Sequence, residues 1–172
     1  DAAPERDLIL RNTTVLDPRT GIEGPHDIVI REGKVAELAA PGAGSAPDAE
    51  VIDAEGLHAV PAFFDPHVHL RSPGREDEET IASGTAAAAA GGYCAILAMP
   101  NTDPVVDSAA VLGALIELAR EEAAIPTGFM ATISKGLRGE ELTEMVELSR
   151  LGASGFTDDG HPVVSAGLMR RA

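Results

Sequence analysis

The stretch Ala62-Phe63-Phe64-Asp65-Pro66-His67-Val68-His69 is an apolar run that ends in polar side chains. In an extended strand, residues i and i+2 point to the same side, so His67 and His69 can converge on one point. Two neutral imidazoles held in this way are good ligands for a borderline cation such as Zn²⁺. Asp65 has the same parity and is expected either to orient a ligand or to fix the end of the strand.

The segments that follow alternate between two patterns. Apolar runs typical of buried strands cover residues 62–69, 93–99, 125–133 and 153–157, and helical patterns cover 76–90, 108–123, 139–151 and 162–172. This alternation is typical of a parallel α/β sheet. It amounts to about four β-α units, whereas a closed eight-fold barrel needs roughly 250 residues. We therefore predict the N-terminal part of a (β/α)8 TIM-type barrel, truncated within a helix, with a complete small open-sheet domain as the alternative.

The opening of the chain has a different character. Short strand-like runs at 7–15, 27–31, 35–39 and 50–52 are separated by turn-forming clusters. Glu32-Gly33-Lys34, between two of these runs, predicts a tight hairpin in which Gly33 supplies a positive φ. The sequence thus predicts a small β-rich segment over 1–60 and the barrel segment over 61–172.

Composition excludes several classes of function. The net charge of −15 argues against a nucleic-acid partner, which requires a basic surface. No apolar run approaches the roughly 20 residues that span a bilayer, so we expect no membrane segment. Cys94 is the single cysteine, which rules out an internal disulfide and suits a reducing cytoplasm. Because Cys94 lies in an apolar run, it is expected to be a buried structural thiol.

Three motifs carry a resemblance to a known family. His67-Val68-His69-Leu70-Arg71-Ser72-Pro73-Gly74 resembles the dihydroorotase signature within the amidohydrolase superfamily. Ala98-Met99-Pro100-Asn101-Thr102 resembles the second motif of that family, and Gly155-Phe156-Thr157-Asp158-Asp159-Gly160 resembles the third. The resemblance extends over essentially the whole chain, and the β-rich opening is similar to the small β-sandwich of the superfamily. Ala62 departs from the glycine usual in the family, at a position outside the site.

The resemblance implies roles for particular residues. His67, His69 and Asp159 would bind metal, with Asp159 as the bridging carboxylate of the family form that lacks a carboxylated lysine. His69, Arg71 and Asn101 would bind the substrate, and the planar fork of Arg71 suits a carboxylate. The alternatives are a surface salt bridge for Arg71, a loop-capping role for Asn101, and a turn with a helix cap at Asp158-Asp159-Gly160. Asp158 is expected to be structural and His161 to be a loop residue.

The family's activity implies reversible interconversion of dihydroorotate and N-carbamoyl-aspartate in pyrimidine biosynthesis, with one or two Zn²⁺ ions per complete site. The catalytic aspartate and further histidine ligands of the family would lie beyond residue 172, so we expect this chain alone to be inactive. Expected partners are the small-molecule substrate, further copies in a homo-oligomer, and aspartate transcarbamoylase. The alternatives are an allantoinase or hydantoinase, and a non-catalytic dihydroorotase-like scaffold subunit.

Overall fold

The computed structural model describes residues 6–172, so the first five residues of the predicted 1–60 segment lie outside it. Contacts divide the chain into two units, one ending at Pro61 and the other running from Ala62 to Ala172. Each unit contains a sheet of its own. Among the described residues, every helix is too short or too polar to cross a membrane.

The first unit is a five-stranded sheet with the order β3-β2-β1-β4, in which β5 also pairs with β1. Its strands are β1 (Leu8–Asp17), β2 (Ile22–Arg31), β3 (Lys34–Ala39), β4 (Glu50–Asp53) and β5 (His58–Ala59). The antiparallel β2–β3 hairpin turns at Gly33, whose φ is 69°, which confirms the hairpin prediction. Strand β5 was not predicted, because two residues are too few to show an alternating pattern.

Asp27 anchors this sheet from its interior. The side chain is fully buried and accepts hydrogen bonds from the backbone N–H groups of Asn12 and Gly44, both at 3.1 Å. Burial by itself would raise the pKa of Asp27, but backbone N–H donors, with that of Gly42 among them, outweigh it and lower the pKa below 3.8. Asn12 itself has a φ of 59° and lies where the β1–β2 register shifts. The carboxylate therefore ties an irregular strand to a neighbouring loop.

The second unit consists of parallel strands in sequential order, β6-β7-β8-β9. Its elements are β6 (Phe63–Val68), α1 (Ile81–Ala90), β7 (Tyr93–Ala98), α2 (Ala109–Glu122), β8 (Thr127–Ala131), α3 (Met145–Leu151), β9 (Gly155–Phe156) and α4 (Ala166–Met169). Parallel neighbours that follow one another in the chain, each after a helix, form the repeating pattern of a β/α barrel wall. The strand-helix alternation predicted from the sequence is present.

The core of this unit lies between one face of the sheet and its helices. Ile96 and Phe129 come from the strands, and Ile81, Leu112 and Leu148 come from the helices. Each of these side chains is at most 4% exposed. Burying a side chain of this size stabilises the fold by roughly 1.5–3 kcal/mol. This packing fixes the strands, and hence the loops at their carboxyl ends, in position.

The helix predicted over 76–90 begins later, at Ile81. Thr80 has an extended backbone, and its side chain accepts from the N–H of Ser83. In return, Oγ of Ser83 accepts from the N–H of Thr80, which completes a capping box. This cap sets the start of the helix, so residues 76–78 form a turn instead. At the other end the helix runs to Ala90 and is capped by Gly91, which agrees with the predicted end at residue 90.

Two further predictions need correction. Residues 139–144 are not helical, because this segment pairs with the loop after β8: the N–H of Thr143 donates to the carbonyl of Ile133, and Ser134 forms a bridge with Leu142. The prediction of a buried thiol is also wrong, since Cys94 is exposed. Along β7, full burial begins only at Ile96.

Candidate metal centre

His67, His69 and Asp159 come together at the carboxyl ends of β6 and β9. One ligand atom from each lies within 4.8 Å of the others. Nε2 of His67 is 3.1 Å from Oδ1 of Asp159, and the two imidazole rings meet edge to face at 5.2 Å between centroids. The structure therefore assembles the three residues for which the sequence predicted metal binding.

The strand end holds His67 in place. Oδ1 of Asp65 accepts a hydrogen bond from the backbone N–H of His67 at 3.0 Å. The carboxylate thus engages the main chain two residues on, in the manner of an Asx turn. Of the two roles considered for Asp65, the contact in the structure is the one that fixes the end of the strand.

The two adjacent aspartates after β9 face different surroundings. Asp158 is 4% exposed and accepts from the backbone N–H groups of Ile133 and Ser134 at 2.8 and 2.9 Å, and from the hydroxyl of Ser134. Asp159 has a φ of 50°, and its N–H donates to Oγ1 of Thr157 at 3.0 Å. Asp158 therefore joins the loop after β8 to the loop after β9, while the change of backbone conformation at Asp159 turns the second carboxylate toward the histidines.

Asn101, which follows β7, links two of the three candidate ligands. Its Oδ1 lies 2.9 Å from Nδ1 of His69, and its Nδ2 donates to Oδ2 of Asp159 at 2.8 Å. Because Nδ2 is the donor toward Asp159, Oδ1 is the acceptor for His69, whose Nδ1 then carries the proton. Nε2 of His69 is left with a free lone pair for a metal ion. The sequence predicted substrate binding for Asn101 and did not predict this linking role.

The chemistry of this donor set suits Zn²⁺. Two imidazole nitrogens and a carboxylate oxygen are standard zinc ligands at roughly 2.0–2.2 Å from the ion, which places ligand atoms up to about 4 Å apart. The observed spacing of at most 4.8 Å needs only a small closure. His67 is exposed, and His69 and Asp159 are half-buried, so the cluster is open to solvent on one side. An open side is typical of a catalytic rather than a structural zinc site.

Arg71 lies next to this cluster. It lines a small cavity of about 100 Å³ together with Asn101, and its Nε is 3.5 Å from Oε2 of Glu78. The structure places Arg71 in the same cavity as Asn101 and also gives it the partly exposed salt bridge that was the alternative to substrate binding. His161 is exposed and stays outside the cluster, with its N–H donating to the carbonyl of Asp158.

A protein-family model described as dihydro-orotase-like matches residues 56–172. The chain belongs to the dihydroorotase-like family. Among curated relatives, the dihydroorotase of Solibacter usitatus is 46% identical over 165 residues, which cover 96% of this chain and 38% of the relative. The dihydroorotase of Geobacter metallireducens is 44% identical and is covered to 39%. This dihydroorotase-like chain therefore spans less than half the length of the relatives that it matches, and the family prediction is confirmed.

Solved structures agree on the fold. The L-hydantoinase (dihydropyrimidinase) from Arthrobacter aurescens superposes with a TM-score of 0.71 over 96% of the dihydroorotase-like chain and 37% of its own, at 23% identity. A dihydropyrimidinase from Brevibacillus agri is 31% identical, with a TM-score of 0.61 over 74% of this chain and 27% of its own. The prediction of a β/α-barrel segment preceded by a separate β-rich unit is confirmed.

Proposed function

We propose that this chain supplies the metal-ligating part of a dihydroorotase active site, which interconverts dihydroorotate and N-carbamoyl-aspartate. The observation that carries the proposal is the convergence of His67, His69 and Asp159 beside Arg71 and Asn101. Relatives at 42–46% identity that bear the name dihydroorotase support it. The proposed setting is pyrimidine biosynthesis in the cytoplasm.

We propose Zn²⁺, one or two ions per complete site, as the cofactor. When bound, the metal polarises the carbonyl of the ring amide and lowers the pKa of water. The protein holds the ligands ready for it: Asp65 fixes the main chain at His67, and Asn101 sets the tautomer of His69. Asp159 presents Oδ1 beside His67 while Oδ2 accepts from Asn101, so the carboxylate is held in one orientation.

The substrate's ring carboxylate would bind to Arg71. The terminal nitrogens of a guanidinium group match the two oxygens of a carboxylate, and Arg71 is within the same cavity as Asn101. Binding the ring through its carboxylate would place the amide beside the three candidate metal ligands, which is a proximity effect. A neutral cyclic amide such as hydantoin or dihydrouracil lacks this handle, and that difference favours dihydroorotase over hydantoinase or allantoinase.

The chain spans 38% of its relative from Solibacter usitatus, which supports a further part of the proposal. The general base that takes the proton from the attacking water, and the remaining histidine ligands, would come from the rest of a longer enzyme. We therefore expect the 172-residue chain alone to hydrolyse no dihydroorotate. A homo-oligomer, or a scaffold role beside aspartate transcarbamoylase, is compatible with an active site whose remaining residues come from another part of the enzyme.

Zinc content tests the proposal directly. The chain is dialysed against excess zinc, and bound metal is measured by mass spectrometry for the original chain, His67→Ala and His161→Ala. We expect about one equivalent in the original chain, the same in His161→Ala, and little in His67→Ala. His161 is the matched control because it is an exposed histidine two residues from Asp159 that lies outside the cluster. Equal zinc content in all three proteins would exclude this site.

Hydrolysis assays test the substrate. The assay uses an enzyme that contains this chain and has the full length of its relatives. It is given dihydroorotate, allantoin and hydantoin at the same zinc concentration. Turnover restricted to dihydroorotate supports the proposal, and turnover of hydantoin or allantoin alone would replace it with one of the related activities. Steady turnover of dihydroorotate by the 172-residue chain would show that no further part is needed.

A further inference from the structure

A second guanidinium group lies at the cavity that contains Arg71. Arg75, four residues later in the turns before α1, lines the same space of about 100 Å³ as Arg71 and Asn101. Nη2 of Arg75 is paired with Oε1 of Glu78, while the other oxygen of Glu78 faces Nε of Arg71. One carboxylate therefore holds the two arginines side by side.

The salt bridge with Glu78 engages only the Nε atom of Arg71. Glu78 contacts it through Nε, and its terminal nitrogens make no hydrogen bond to a residue in the described range 6–172. A guanidinium group that is restrained at Nε keeps its terminal fork available for a bidentate ligand. The side chain of Arg71 is 34% exposed, so a ligand can reach that fork.

The charge around this cavity depends on both arginines. Asp103 also lines the cavity, and Glu78 is paired with both arginines, so two carboxylates belong to this group of charges. With Arg71 as the only cation, the surroundings would carry a net negative charge and would repel an anionic ligand. Arg75 brings the sum of these four groups to zero, which leaves the fork of Arg71 free to attract a carboxylate.

We propose that Arg75 is a specificity-determining residue that strengthens the preference of the carboxylate site at Arg71 for anionic over neutral cyclic amides. The proposal rests on the proposed function and adds a residue to its substrate recognition. Removing one unit charge at roughly 5 Å in a water-exposed site weakens the binding of an anion about fourfold and leaves a neutral ligand unaffected.

The test is a titration of the zinc-loaded 172-residue chain, followed by NMR, with L-dihydroorotate and with dihydrouracil, which is the same ring without the carboxylate. In Arg75→Gln we expect the Kd of dihydroorotate to rise about fourfold and that of dihydrouracil to stay the same. Arg120→Gln is the matched control, because Arg120 is also exposed and pairs with Glu117 at i,i+3 spacing on α2. It should change neither Kd.

Four results would overturn the proposal. They are an unchanged Kd for dihydroorotate in Arg75→Gln, an equal change for both ligands, the same change in Arg120→Gln, and no binding of dihydroorotate to zinc-loaded chain. Zinc content is measured on the same samples, so a failure of the metal centre, and with it of the proposed function, is distinguished from a failure of the carboxylate site. Because the side chain of Arg75 is 62% exposed, its replacement should leave the unfolding midpoint unchanged, and that measurement verifies folding.

Discussion

Replacing Asp158 by alanine should destabilise the second unit strongly without removing a metal ligand. The side chain is 4% exposed, and its loss leaves the backbone N–H groups of Ile133 and Ser134 without an acceptor. A buried donor left unsatisfied costs about 1–3 kcal/mol, so two of them cost about 2–6 kcal/mol. Since a domain is stable by only about 5–15 kcal/mol, this is a large fraction of the total.

The chain offers a convenient probe for this measurement. It contains no tryptophan and a single tyrosine, Tyr93, which lies in β7 and contacts the ring of Phe63. Tyrosine fluorescence in a urea titration therefore reports the unfolding of the second unit alone. With a urea m-value of about 2 kcal/mol/M, a loss of about 4 kcal/mol moves the midpoint by about 2 M.

Two variants complete the design. Asp158→Asn keeps one oxygen that can accept from both N–H groups, so it should cost much less than Asp158→Ala. Asp159→Ala should abolish zinc binding yet lower the free energy of unfolding by less than about 1 kcal/mol, because the side chain of its partner His67 is 57% exposed and can bind water instead. A loss below about 1 kcal/mol in Asp158→Ala, or an equal loss in Asp159→Ala, would refute this division of roles.

Three further predictions concern other parts of the chain. Thr132→Val should raise the free energy of unfolding by up to about 1 kcal/mol in the same titration, because Oγ1 of this fully buried residue has no hydrogen-bond partner among the described residues. Gly74→Ala should lower it by more than about 1 kcal/mol, since φ is 107° and a Cβ would collide with the carbonyl oxygen of Asp103. The carboxylate of Asp27 has a lowered pKa in the folded state, so its stabilising effect is present above pH 3.8 and is lost as the pH falls through the folded-state pKa. Circular dichroism should therefore show a smaller acid-induced loss of stability in Asp27→Asn than in the original chain.

The sequence predicted the order of the strands and helices well, because the spacing of apolar residues that identifies each element lies within that element. The helix predicted over 108–123 is observed as α2 (Ala109–Glu122), where apolar residues recur at helical spacing without interruption. Boundaries set by contacts distant in sequence were predicted less well. The segment 139–144 has helical composition, yet the backbone bonds between Thr143 and Ile133 override that preference.

The candidate site shows the same division. His67 and His69 were recognisable because two residues on one strand share a face by parity alone. Asp159 was found through its resemblance to a family motif, because no local rule relates it to a strand so far away in the sequence. The link through Asn101, and the pairing of Glu78 with Arg71 and Arg75, depend on how separate loops meet, and neither follows a period along the chain.

The amide of Asn101 gives the hydrogen bonds of the metal centre a fixed direction from donor to acceptor. It accepts at one end, from His69, and donates at the other, to Asp159, so the hydrogen bonds run in one sense from imidazole to carboxylate. Aspartate has nearly the same shape, but it has no donor for Asp159 and would place two carboxylates side by side. Leucine would remove both bonds at once. The three side chains therefore behave as one unit under mutation, and a change at any of them should alter the effect of a change at the other two.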